Sequence, residues 1–268
     1  MPLTDLIRYF NVADNSGEST LYPDGARAAA WHHGLRLGSL FQPIVDLQLG
    51  RVVGHQAILV ARREDGSAVS AADAYAACET AESVVHFDRQ CRTLHALNFL
   101  AQGQHTGGYL QMVVHPRHLL AVQNQHGLVY EAILKRCGLA PDDIVLQIDA
   151  SLIGHHPRLA EALANYRQRG YRLALAGAIA EADVLALKPD IQQIQPGYAD
   201  SLLESAHRAS IRLELTGIES AGQAAAARAA GFDLGQGSLL GPPAADCRPT
   251  HDKRRLAYNH LSPSGAFP

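Results

Sequence analysis

The stretch Phe41-Gln42-Pro43-Ile44-Val45-Asp46-Leu47-Gln48-Leu49-Gly50-Arg51-Val52-Val53-Gly54 decides the fold. Two apolar runs, residues 40–47 and 52–60, flank the tight-turn signal Gln48-Leu49-Gly50-Arg51, so they form an antiparallel hairpin. Six further short apolar runs follow, at residues 109–115, 144–150, 171–176, 191–195, 211–216 and 232–240. Most are separated by enough chain for a helix, which implies crossover connections and parallel strands. Val84, Phe87, Cys91, Leu94, Leu97 and Ala101 recur at three- and four-residue steps and predict one apolar helix face. Residues 159–168 predict another helix, stopped near Gly170, and the alanine-rich residues 221–230 a third, closed by Gly231. Eight strands with interleaved helices predict an α/β chain folded as a modified TIM (β/α)8 barrel, its first strand antiparallel to the next.

Outside that pattern, residues 11–25 (NVADNSGESTLYPDG) carry turn formers and no sustained period, so they read as a loop. A short helix is expected over residues 26–37. The chain then divides into an N-terminal extension or docking arm (1–36), a barrel (37–245) and a polar C-terminal tail (246–268). With 23 Lys+Arg against 26 Asp+Glu, a formal net charge of −3 gives no basic footprint for nucleic acid. No apolar run approaches the ~20 residues of a membrane span, and the first residues, Met1-Pro2-Leu3-Thr4-Asp5, lack the pattern of a signal peptide. Cys78, Cys91, Cys137 and Cys247 are far apart and form no CxxC pair, so reduced thiols in a cytoplasmic protein are expected.

Several blocks, in order, resemble EAL domains, the bacterial cyclic-di-GMP phosphodiesterases. The opening stretch is similar to the family's YQPIVDL-x-TGRIVG-x-EAL start. His86-Phe87-Asp88-Arg89 resembles its "LDR" helix motif, and residues 137–148 (CGLAPDDIVLQI) its "GLxPxxLxLEITE". Leu187-Lys188-Pro189-Asp190-Ile191 resembles the run into "KID", and Gly217-Ile218-Glu219-Ser220 the end of "AEGVET". Gly231-Phe232-Asp233 with Gln236-Gly237 and Pro243 resembles "GCDYxQGYYFxxP". The resemblance implies a barrel whose site lies at the C-terminal strand ends, where carboxylates hold Mg²⁺ or Mn²⁺ for phosphodiester hydrolysis.

Position by position, the implied ligands are exchanged. Gln56 stands where the signature Glu is expected, His115 at the metal-binding Asn, Gln147 at the next Glu and Ala150 at the loop-steadying Glu. Ala176-Gly177 replace the Asp-Asp pair, Gln193 and Gln195 the Lys and Asp of "KID", and Thr216 the first Glu of "EGVE", while Glu219 is retained. Val60 stands where the resemblance implies a nucleotide-contacting Arg, and residues 177–193 are shorter than the family's Gly-rich catalytic loop. A glutamine offers a carbonyl oxygen without charge, which does not offset the cost of dehydrating a divalent ion.

These exchanges lead to an expectation of no catalytic residues, no metal and no cofactor. Gln42, Gln56, His115, Gln147, Gln193 and Gln236 remain as candidates for a residual ligand pocket. Alternatively, the glutamines only relieve carboxylate repulsion and hydrate the barrel mouth. His115 and His118 lack the spacing and companions of a transition-metal site, His32-His33 and His155-His156 read as solvated loop residues, and Glu219 reads as a favourable charge at a helix N-terminus. No GxSxG elbow, Walker A loop or dinucleotide fingerprint is present. The expected function is a catalytically inactive EAL-like regulatory protein that binds a protein partner in bacterial signalling. A metal-free cyclic-di-GMP receptor is the alternative, a residual phosphodiesterase the third reading, and a homodimer is left open.

Overall fold

The computed structural model describes residues 2–13, 19–102, 108–122, 127–149, 157–177, 180–195 and 201–248. The expectations for His155-His156, Ala150 and most of the C-terminal tail lie outside the described residues. The order of elements is α1 (Leu3–Ala13), β1 (Ser19–Asp24), β2 (Arg27–His32), β3 (Leu35–Asp46), β4 (Arg51–Arg63), β5 (Ala68–Val69), α2 (Ala71–Ala76), α3 (Ala81–Leu100) and β6 (Tyr109–Val113). There follow α4 (Pro116–Ala121), α5 (Leu128–Cys137), β7 (Ile144–Asp149), α6 (Pro157–Gln168), β8 (Arg172–Ala176), α7 (Glu181–Leu187), β9 (Ile191–Ile194), α8 (Ser201–Arg208), β10 (Arg212–Leu215), α9 (Ala221–Ala230) and β11 (Leu234–Gly235).

Strands β3, β4, β6, β7, β8, β9, β10 and β11 close into a barrel, because β3 pairs with both β4 and β11. Both of those pairings are antiparallel, while β4 through β11 run parallel to one another around the ring. The hairpin read from the sequence therefore sets the barrel's one reversed strand. Alternation along the strands divides the core in two. Leu110, Met112, Leu146, Ile148, Leu173 and Leu175 face outward and pack with Phe99, Tyr130, Leu134 and Tyr166 of the surrounding helices. Ile44, Tyr109, Val145, Ala174, Ile191 and Leu234 face inward and fill the barrel floor. Among the described residues no helix is long and apolar enough to cross a membrane.

Residues 26–37 are not a helix. They form β2 and the start of β3, reversed between His32 and Leu35 with His33 at φ 43° and Gly34 at φ 75°. A turn with two positive φ values matches the twist of a two-residue hairpin, and it overrides the helix preference of Ala28-Ala29-Ala30. Ala28 and Ala30 are buried against α3, where their small side chains let strand and helix approach. The expected loop at residues 11–25 is likewise corrected. Its start belongs to α1, and Ser19–Asp24 pair with β2. Leu6, Ile7 and Phe10 of α1 bury against Leu21, Leu37, Phe87 and Leu94, so the extension shares a core with the barrel's long hairpin.

The outer edge of β1 is covered. Asn11 of α1 accepts a hydrogen bond from the Leu21 amide at 2.8 Å and donates to the Leu21 carbonyl at 2.7 Å, as a neighbouring strand would. Pro23 on the same strand carries no amide hydrogen. The last expected strand, residues 232–240, shortens to β11. A side chain at Gly237 would stand 2.1 Å from the Ile218 carbonyl oxygen, so the chain leaves the sheet where only glycine fits against that backbone.

Candidate functional site

Parallel strands of a barrel point alternate residues into the lumen, and the C-terminal ends of those strands form its mouth. One layer above the apolar floor this places Gln56 of β4, Gln111 of β6, Gln147 of β7, Gln193 of β9, Glu214 of β10 and Gln236 just beyond β11. Gln56 and Gln111 are register partners across the β4–β6 pair, and so are Gln193 and Glu214 across β9–β10.

Four amides form a connected chain. Gln236 Nε2 donates to Gln56 Oε1 at 2.6 Å, and Gln56 Nε2 donates to Gln147 Oε1 at 2.8 Å. Gln111 Nε2 reaches the same Gln147 oxygen at 3.1 Å. Both lone pairs of that oxygen are thus occupied by neighbouring amides, and the Gln56 oxygen already accepts one hydrogen bond. The Gln147 amide nitrogen has no acceptor among the described residues. Gln42 faces Gln56 across the hairpin but donates to the Gly241 carbonyl at 3.1 Å, which ties β3 to the segment after β11.

On the opposite wall, Gln193 Nε2 donates to Glu214 Oε1 at 3.2 Å. Glu214 is fully buried, and its Oε2 has no partner among the described residues, like the Tyr109 hydroxyl on the floor below. Burial pushes the Glu214 carboxyl up to about 7, against the opposing effects of the Gln193 hydrogen bond and the Arg212 charge. Arg212 itself lies 3.5 Å from Asp46 at the other end of the barrel. Asp149 ends β7 at the mouth, where it is exposed.

Of the six candidate pocket residues, Gln56, Gln147 and Gln236 are joined directly, Gln193 sits across the lumen, and Gln42 borders them. His115 is not a lumen residue. Its ring stacks on Tyr75 at 4.1 Å with an interplanar angle of 9°, and its Nδ1 accepts from the Arg117 amide at the start of α4. The lumen position at the end of β6 is Val113, register partner of Gln147, because strand alternation puts residues 109, 111 and 113 on one face. The same alternation could have identified Gln111 and Glu214, which the motif comparison passed over because they lie four residues before His115 and two before Thr216, outside the motif positions. Among the other exchanged positions, Gln195 is exposed just after β9, and the Thr216 hydroxyl donates to the Ile194 carbonyl.

His118 belongs to a different cluster. Asp88 of α3 is fully buried, contacts the Arg92 guanidinium at 2.6 Å and lies 3.2 Å from His118 Nδ1. Asp88 also accepts hydrogen bonds from the Tyr75 hydroxyl and the His115 amide. Arg92 in turn lies over the Tyr130 ring at 4.4 Å. This network fastens α2, α3, α4 and α5 to one another behind the barrel wall. Among the described residues, no three His, Cys, Asp or Glu side chains gather closely enough to hold a metal ion.

The barrel has close structural counterparts. The EAL enzyme Bd1971, in a form bound to cAMP and cyclic-di-GMP, superposes with a TM-score of 0.66 at 17% identity, covering 90% of this chain and 66% of its own. Klebsiella pneumoniae BlrP1, in a complex with calcium and cyclic-di-GMP, gives 0.66 at 19% identity, covering 85% and 59%. Bacillus subtilis YkuI, in complex with cyclic-di-GMP and calcium, gives 0.65 at 21% identity, covering 84% and 60%. The chain thus spans about two thirds or less of each of these proteins. No curated protein sequence matches it. The EAL domain model matches residues 28–243, from the first buried alanine of β2 to the turn beyond β11. By that match over most of its length, with the reversed-strand barrel it shares with these structures, the chain belongs to the EAL domain family.

Proposed function

We propose that this EAL-family barrel lacks phosphodiesterase activity and works as a cytoplasmic regulatory protein that binds a protein target. The observation that carries this reading is the Gln236–Gln56–Gln147–Gln111 chain. Divalent Mg²⁺ or Mn²⁺ needs charged oxygen ligands turned toward one point. Here the Gln56 and Gln147 oxygens are turned onto neighbouring amides, and burial pushes the one buried carboxyl of the layer, Glu214, up to about 7, so it is only partly ionised at neutral pH. The lumen side chains therefore do not fit the Mg²⁺ or Mn²⁺ on which the family's hydrolysis relies. The extension ahead of residue 37 and the tail beyond residue 245 are candidate contact segments for the target.

One observation favours a second reading, a metal-free receptor for cyclic-di-GMP. The Gln147 amide nitrogen presents unused donors at the mouth, the polarity that a phosphate oxygen would meet. Protein binding ranks first because Val60 supplies no guanidinium clamp for guanine or phosphate.

Calorimetric titration of the chain with cyclic-di-GMP, with and without Mn²⁺, separates these readings. The expected result is no metal-dependent conversion to linear dinucleotide and no metal-free binding tighter than about 10 μM. Turnover would overturn the loss of activity, and tighter metal-free binding would exchange the ranking. Affinity capture with the parent chain and with Val12→Lys and Trp31→Ala, at exposed positions of the extension, then tests its docking role, which an unchanged set of bound proteins would remove.

A further inference from the structure

A second cavity lies away from the barrel mouth, where α1 crosses α3 and α5. It encloses about 310 Å³ and is lined by Tyr9 and Phe10 of α1, Leu21 of β1, and stripes from α3 and α5. On α3 the stripe is His86, Arg89, Gln90 and Thr93, one helix face at steps of three and four. On α5 it is Val129, Ala132 and Ile133, so the opposite wall is apolar. No Asp or Glu lines the cavity among the described residues.

Two polar side chains in it lack a protein partner among the described residues. Gln90 is only 8% exposed, yet its amide nitrogen has no hydrogen-bond partner among the described residues, and a buried unmet donor costs about 1–3 kcal/mol. Arg89, half-buried beside it, makes no hydrogen bond or ion pair with a carboxylate among the described residues. Burial, followed by the neighbouring Arg92 charge, holds its guanidinium below the usual arginine range. At the rim, Arg136 lies over the Tyr9 ring at 4.3 Å and adds a second positive charge. The cavity thus joins an apolar wall to the Arg89 guanidinium and the Gln90 amide, with Arg136 at its rim and no Asp or Glu in its lining among the described residues.

We infer that the cavity between α1, α3 and α5 binds a small carboxylate with an apolar body, the carboxylate on Arg89 and Gln90 and the hydrocarbon against Phe10, Leu21, Val129 and Ile133. A guanidinium and an amide donor together match the two oxygens of a carboxylate. The volume suits a chain of about eight carbons, at the small end of ligand pockets. This site is separate from the lumen and does not depend on how the EAL barrel itself is used.

The test is calorimetric titration of the full chain with octanoate, with 1-octanol and octylamine as matched controls. Octanoate is expected to bind saturably below about 1 mM, with both controls at least about tenfold weaker. Arg89→Gln and Gln90→Leu are each expected to weaken octanoate about three- to tenfold while leaving cyclic-di-GMP titrations unchanged. Val129→Trp, at a half-exposed position of the apolar wall, is expected to block binding in a folded protein whatever the fate of the other two variants. Octanol binding as tightly as octanoate would overturn the assignment. So would affinity indifferent to all three substitutions, or no saturation up to about 10 mM.

Discussion

Glu214 and Gln193 meet inside the barrel as register partners on β10 and β9, with the amide donating to a fully buried carboxyl at 3.2 Å. The carboxyl holds its proton in the folded state up to about pH 7, whereas an unfolded Glu releases it near 4.5. The folded state therefore binds more protons between those values, and stability falls as pH rises through that window and levels off above it. Glu214→Gln keeps the acceptor oxygen and removes the ionisation. The variant is expected to match the parent near pH 4 and to exceed it at pH 8, by on the order of 3 kcal/mol as an upper bound. Urea unfolding at both pH values checks this, and equal stability at pH 8 would count against a buried ionisable Glu214.

Gln56 and Gln147 touch through a 2.8 Å hydrogen bond, so carboxylates placed there would face each other directly. The double change Gln56→Glu and Gln147→Glu, without added metal, is expected to be less stable at pH 8 than the sum of the single changes. The coupling should be about 1–4 kcal/mol, the Coulomb range between water-like and partly buried surroundings. It should shrink at low pH as one carboxylate takes a proton. A double-mutant cycle by urea unfolding measures it, and additivity would mean that the two side chains do not share one site.

Asp88 and Arg92 form the buried centre of the helix layer. Burial raises the Asp88 carboxyl, but Arg92, His118 and the His115 amide outweigh it and hold the group below the usual carboxylate range. Its contribution is thus present at neutral pH and lost as pH falls through the lowered folded value. Asp88→Ala leaves Arg92 buried and unpaired, so a loss of about 3–5 kcal/mol is expected in thermal or urea unfolding. A loss below about 1 kcal/mol, the range of an exposed pair, would show that water reaches the cluster.

Asn11 replaces the missing neighbour of β1 by bonding both polar groups of Leu21. Asn11→Ala removes two hydrogen bonds and uncovers a strand edge. The expected outcome is a loss of about 1–3 kcal/mol together with concentration-dependent self-association in sedimentation velocity. A monomer with unchanged stability would show that the edge needs no cap.

The barrel was legible in the sequence because its strands are short apolar runs and the residues at 48–51 form a clear turn. Helices α3, α6 and α9 were legible for the same kind of reason, in apolar spacing and in glycine stops such as Gly231 at φ 96°. The N-terminal extension was not legible. Its alanines favour a helix in isolation, and only contact with α3 makes small residues in an extended strand the better choice. His115 looked like a pocket residue on motif spacing, yet the chain leaves β6 after Val113 and turns into α4, which carries His115 out of the lumen and onto Tyr75.

The sequence by itself determined the family, the reversed first strand and the run of glutamines at strand ends, since each is written in local order and spacing. Tertiary structure alone decided how those glutamines are used. Which amide oxygen meets which nitrogen depends on strand register, which aligns residues 56, 111 and 147 on β4, β6 and β7, and on closure of the ring through β3, which brings Gln236 to Gln56. The same holds for Glu214. A glutamate in a short strand is an ordinary sight in a sequence, and only full burial on the lumen side raises its carboxyl to about 7.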